Sequence, residues 1–105
     1  MLGDLPEVVL PRTAPGNEHV WHLYAIRVQR RDDILRRLHD EGIGAGIHYP
    51  VPVHLQPAFR HLGYGPGDFP VAEAAARQLL SLPLYPQITH EQQVRVADAV
   101  RRALM

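Results

Sequence analysis

The stretch Gly42-Ile43-Gly44-Ala45-Gly46-Ile47-His48-Tyr49-Pro50-Val51-Pro52-Val53-His54-Leu55-Gln56-Pro57 decides how the rest of this chain is read. Its first part, an apolar run interrupted by glycines, predicts a strand near Ile43 to Ile47 that another group approaches closely. Its second part cannot be ordinary secondary structure. Prolines at 50, 52 and 57 hold φ near about −65°, remove backbone donors and drive Tyr49, Val51 and Gln56 toward extended geometry. Two histidines, a tyrosine and a glutamine are therefore carried on a stiff loop at the end of a strand, where binding residues concentrate. Ala58 to Leu62 then begins a short helical turn that ends at Gly63.

Upstream of that stretch, Val20 to Val28 is nearly all apolar and rich in aromatic and β-branched residues, which predicts a strand covered on both faces. His22 within it is read as a hydrogen-bonded core or sheet residue rather than a ligand. Asp32 and Asp33 favour a helix start, Ile34, Leu35 and Leu38 make an apolar stripe, and Gly42 supplies the stop, giving a helix of about three turns. Residues 1–19 read as an extended lead-in with a turn at Pro15-Gly16.

Downstream, Asp68 or Phe69 precedes a helix whose first turn accepts Pro70, and Asp68 is the better cap. Val71, Ala75, Leu79 and Leu82 recur at helical spacing as far as Pro83, and Leu82 to Tyr85 is left for a short third strand. Thr89-His90-Glu91-Gln92 has capping-box spacing. Val94, Ala97, Val100 and Leu104 then share one apolar face of a closing helix of about four turns, and Arg95, Arg101 and Arg102 read as its solvated side.

Composition narrows the chemistry. A chain of 105 residues is one domain, residues 1–105, large enough for a modest core. Eleven arginines balance eleven acidic residues, so no net positive field draws nucleic acid or an acidic membrane surface. Cysteine is absent, which excludes disulfides and thiolate chemistry. No apolar stretch approaches the ~20 residues of a spanning helix, and the N-terminus lacks a signal-peptide pattern. A cytoplasmic location is the expectation. The histidine spacings lack the i, i+4 pair of a zinc-protease helix. Ser81 is the only serine, and its Leu80-Ser81-Leu82-Pro83 setting has no glycine elbow for a nucleophile.

Four pieces of this sequence resemble the C-terminal small domain of the DegT/DnrJ/EryC1/StrS sugar aminotransferases, which use pyridoxal phosphate. They are His19-Val20-Trp21-His22-Leu23-Tyr24 with Arg31-Asp32-Asp33-Ile34-Leu35 close behind, the Gly42 to Pro57 stretch, Gly67-Asp68-Phe69-Pro70-Val71-Ala72-Glu73, and Leu80-Ser81-Leu82-Pro83-Leu84-Tyr85-Pro86. They cover most of the chain from about residue 16 onward.

The resemblance implies an α+β fold, a small two-layer sandwich with a short sheet and helices on one face, like the C-terminal domain of fold type I pyridoxal-phosphate enzymes. It implies that His48, Tyr49 and His54 face the cleft against the large domain, near a nucleotide-linked sugar. It also implies that a complete member transfers an amino group from an amino acid to a keto sugar on a nucleotide, with a large domain or a second subunit as partner. In that family the cofactor is carried on a lysine amine of the large domain. This chain contains no lysine, and guanidinium cannot replace that nucleophile, so no cofactor is expected on this chain alone and no activity from it alone. The contrasting expectation is a non-catalytic binding or interaction module of the same fold.

Overall fold

Ile26 and Val28 lie two residues apart on one strand and Leu80 and Leu82 two apart on another, and all four side chains are buried. The computed structural model, which describes residues 1–105, builds the domain on this shared apolar face. In chain order the elements are β1 (Val8–Val9), β2 (Tyr24–Val28), α1 (Arg31–Asp40), α2 (Pro70–Gln78), β3 (Leu79–Leu82) and α3 (His90–Leu104). Two short 3-10 turns, Val53–Leu55 and Pro57–Leu62, occupy the proline-rich region between α1 and α2.

The three strands form one antiparallel sheet in the order β1-β2-β3, with Val8 opposite Val28 and Ile26 opposite Leu80. Ile34 and Leu38 of α1 and Ala97, Ala99, Val100 and Ala103 of α3 complete the core. Small residues on α3 let that helix lie close to the others. Ile26, Ile34, Leu38 and Leu80 are fully enclosed, each stabilising the fold by about 1.5–3 kcal/mol relative to exposure. The expected α+β sandwich is therefore present, with α1 and α3 sharing one face of a three-stranded sheet.

Several local expectations are corrected. The strand predicted from Val20 starts at Tyr24, because Trp21 takes a left-handed φ of 51° and its amide turns to Nδ1 of His19. His22 is exposed rather than in the core, and β2 is buried on one face only. The strand predicted from Ile43 to Ile47 reduces to a single antiparallel bridge, in which Gly46 and Ser81 exchange both backbone hydrogen bonds. The lead-in contributes the unexpected β1, with Leu2 and Val8 buried.

The largest correction lies at Leu79. The helical spacing carries on through Leu82, yet α2 stops at Gln78 and the next four residues are strand. The guanidinium of Arg31, itself buried, donates from Nη1 to the carbonyls of Ala76 and Leu79, both at 3.0 Å, and so satisfies the end of α2. Leu80 and Leu82 then alternate into the core opposite β2, which a helix would forbid. Asp68 does not cap α2 either: the N-cap is Phe69, and Asp68 Oδ2 accepts the Gly65 amide at 2.7 Å.

The ends of the other helices follow the sequence. Gly42, with φ 75°, closes the turn after α1, and the Thr89–Gln92 capping box opens α3 with both reciprocal bonds formed. The buried face of α3 is rotated from the predicted one, since Val94 is exposed and Ala99 and Ala103 are enclosed. Arg101 and Arg102 reach Asp4 and Glu41, so this solvated side ties the lead-in and the end of α1 to α3. No helix is long and apolar enough to cross a membrane.

Candidate functional site: the proline-stiffened loop beside β3

The bridge between Gly46 and Ser81 delivers the chain to His48 over the edge of the sheet. Glycine at 46 is what gives the imidazole room, since a Cβ there would sit 3.3 Å from Cε1 of His48. The close approach read from the glycines is thus made by the chain's own histidine. Nδ1 of His48 lies 2.9 Å from Oγ of the buried Ser81, while His48 as a whole is exposed. Tyr49, 69% exposed, stands edge-on to His48 with ring centroids 5.4 Å apart.

His48 and Ser81 line a cavity of about 580 Å³ that also takes in the backbone of Gly42 to Gly46, Tyr85 and Arg95. That volume suits a small-molecule site. Arg95 is oriented by a hydrogen bond from Nη2 to the Glu41 carbonyl at 3.1 Å. The cavity therefore offers an imidazole and a guanidinium on mostly apolar walls, groups that can donate to oxygen acceptors, while the Tyr85 hydroxyl already donates to Oε1 of Gln92 at 3.0 Å. No three of the His, Asp and Glu side chains converge as a metal-binding group.

His54 has a different setting. It is buried, its Nε2–H donates to Oε1 of Glu73 at 2.9 Å, and its ring packs edge-on against Phe69, which in turn meets Tyr64. The same Glu73 oxygen accepts the Gly67 amide at 2.8 Å. The His54 hydrogen bond, followed by that of the Gly67 amide, holds the Glu73 carboxyl below its ordinary pKa. The structure thus brings His48 and Tyr49 together at the surface and places His54 in a clamp between the loop and α2.

Sequence reading missed Ser81 and Glu73. Ser81 carried a signal, being a lone hydroxyl between the core residues Leu80 and Leu82. A polar side chain in that position needs a partner from outside the strand. Glu73 gave none, because an acidic residue in the first turn of a helix is unremarkable in sequence.

This chain presents imidazoles, phenols and guanidinium groups but no lysine amine, so its residues do not fit covalent attachment of pyridoxal phosphate.

Comparison with known proteins identifies the family. The DegT/DnrJ/EryC1/StrS aminotransferase family profile matches residues 1–101. The dTDP-3-amino-3,4,6-trideoxy-alpha-D-glucose transaminase of Streptomyces venezuelae is 48% identical over 100 residues, which are 95% of this chain and 26% of that protein. The erythromycin biosynthesis sensory transduction protein EryC1 of Saccharopolyspora erythraea is 48% identical over 90 residues, 86% of this chain and 25% of that one. Among solved structures, DesV of S. venezuelae superposes with a TM-score of 0.92 at 48% identity, over 96% of this chain and 27% of its own. NtdA of Bacillus subtilis, solved with the cofactor PMP, gives 0.82 at 32% identity, over 98% of this chain and 24% of its own. The chain spans about a quarter of the length of these relatives and corresponds to their C-terminal part. It belongs to the DegT/DnrJ/EryC1/StrS aminotransferase family, whose cofactor is pyridoxal phosphate.

Proposed function

We propose that this chain is the C-terminal small domain of a nucleotide-sugar aminotransferase and supplies the substrate side of its active site through His48 and Tyr49. In this reading the large domain, or a second subunit, brings the lysine and the cofactor, which supplies the amino-group transfer chemistry when bound. His48 donates to a diphosphate or sugar oxygen, Tyr49 packs against a ring, and His54 supports the loop that carries them.

The observation that carries the reading is the pairing of an exposed His48–Tyr49 edge with a rigid support under it. A second one concerns surface. The chain exposes 7334 Å², whereas a compact monomer of 11.8 kDa exposes about 5,900 Å². That excess is the order of one partner's share of a standard interface, about 800 Å² or more. The radius of gyration, 15.4 Å, likewise exceeds the ~13 Å of a compact 100-residue domain.

A chimera tests it. Residues 1–105 in place of the C-terminal quarter of the S. venezuelae transaminase should give an active enzyme. His48→Ala in that chimera should raise KM about 10- to 150-fold, the equivalent of a charge-assisted hydrogen bond of about 1.5–3 kcal/mol, with Tm held. An inactive but folded chimera, or a lowered Tm at unchanged KM, removes the reading. The non-catalytic module predicts the inactive outcome.

A further inference from the structure

Ser81 is 5% exposed, and its hydroxyl has one hydrogen-bond partner, Nδ1 of His48. The amide and carbonyl of Ser81 are both taken by Gly46, at 2.8 and 3.0 Å, so the residue sits rigidly in the ladder. A hydroxyl has one proton to give, and a buried one left without an acceptor is costly. The geometry therefore makes Ser81 the donor and Nδ1 the acceptor, and the ring proton of neutral His48 resides on Nε2. No protein group takes up that Nε2–H. Glycine at 46 leaves room for this placement of the ring, since a Cβ there would lie 3.3 Å from Cε1 of His48.

We propose that Ser81 is a positioning residue: it selects the Nε2–H tautomer of His48 and fixes the ring so that its free N–H is offered to a diphosphate oxygen in the adjoining cavity. The proposal rests on the reading of His48 as a substrate-side residue, and it assigns a task to the chain's single serine that involves no nucleophilic chemistry. A tautomer fixed in advance removes the cost of selecting it when the ligand arrives, as preorganisation requires. His54 is likewise fixed through one ring nitrogen, with the roles reversed, since its Nε2–H donates to the Glu73 carboxylate.

The test reads the ring directly in the 105-residue chain. Long-range ¹H–¹⁵N spectra of uniformly labelled protein, at a pH where free imidazole is neutral, report which nitrogen carries the proton. Wild type should show a protonated Nε2 and an unprotonated Nδ1 with widely separated ¹⁵N shifts. Ser81→Ala should narrow that separation as the second tautomer enters, and Ser81→Thr, which keeps the hydroxyl, should restore it. The His54 ring serves as the control for an intact fold. A protonated Nδ1 in the wild type, or an unchanged separation in Ser81→Ala with a native His54 signal, overturns the assignment. A His48 ring that responds to Ser81→Ala while KM of the chimera ignores His48→Ala supports the positioning and removes only the substrate-side reading; the converse removes only the positioning.

Discussion

One carboxylate oxygen, Oε1 of Glu73, accepts both Nε2–H of His54 and the amide of Gly67, and this joins three segments that are separate in sequence. The loop after Gly46, the turn before α2 and α2 itself meet at that atom. His54 therefore sets the shape of the loop from inside, while His48 and Tyr49 are presented at its surface.

If this clamp holds the loop, His54→Ala should destabilise the chain by about 1–3 kcal/mol, through a lost buried hydrogen bond and lost packing on Phe69. Glu73→Gln, which keeps an acceptor oxygen, should be milder than Glu73→Ala. Hydrogen exchange checks the mechanism. The Gly67 amide should exchange faster in Glu73→Ala, with α3 amides unaffected below the global unfolding limit. Equal protection of Gly67 in both proteins would dismiss the clamp.

Acid should weaken the fold in a defined window. Hydrogen bonds from His54 and Gly67 depress the Glu73 carboxyl, and the Arg101 guanidinium holds that of Asp4 down to about 2. Arg102 depresses Glu41 in the same way. A carboxyl titrating lower in the folded chain than in the unfolded one stabilises the fold fully above its unfolded value, about 4 for Asp and Glu. That stability is lost as pH falls through the folded value, so Tm should drop between about pH 4 and pH 2. Asp4→Asn should flatten the lower part of the curve at low salt and do little at high salt, because this pair is exposed. A flat profile down to pH 2 would contradict the ion pairing.

The capping box of α3 gives a calibrated local test. Thr89 Oγ1 accepts the Gln92 amide at 3.2 Å and Gln92 Oε1 accepts the Thr89 amide at 2.9 Å. Thr89→Ala should cost about 1 kcal/mol, and Thr89→Ser little. Denaturant midpoints at constant m-value measure it. An effect confined to a few tenths of a kcal/mol would mean that α3 is held by its packing alone.

The surface around the loop should be adhesive. Tyr49, Val53, Leu62, Tyr64, Phe69 and Val71 are all exposed on the segment from the loop to the first turn of α2. A separate apolar cavity of about 730 Å³ opens between the lead-in, Trp21, Leu84 and α3. Concentration-dependent self-association and binding of a hydrophobic dye are expected. Sedimentation as a strict monomer at high concentration without dye binding would argue against an uncovered interface.

Legibility in the sequence followed the range of the interactions. The start of α3 was fixed by Thr89 and Gln92, which are near neighbours in the chain, and the end of α1 by Gly42, whose left-handed φ only glycine adopts readily. The prolines likewise determined that His48, Tyr49 and His54 share a stiff loop, because they restrict φ wherever the rest of the chain goes. What the tertiary structure decided came from partners remote in sequence. Leu79 to Leu82 became strand because Arg31, 48 residues from Leu79, takes the end of α2 and β2 offers a ladder. His54 turned inward because Glu73 waits 19 residues away, and Ser81 acquired a role because the Gly46 bridge carries His48 to it across 33 residues. Local torsional preferences are written in each residue, whereas a hydrogen-bond partner that far along the chain exists only once the core has brought the segments together.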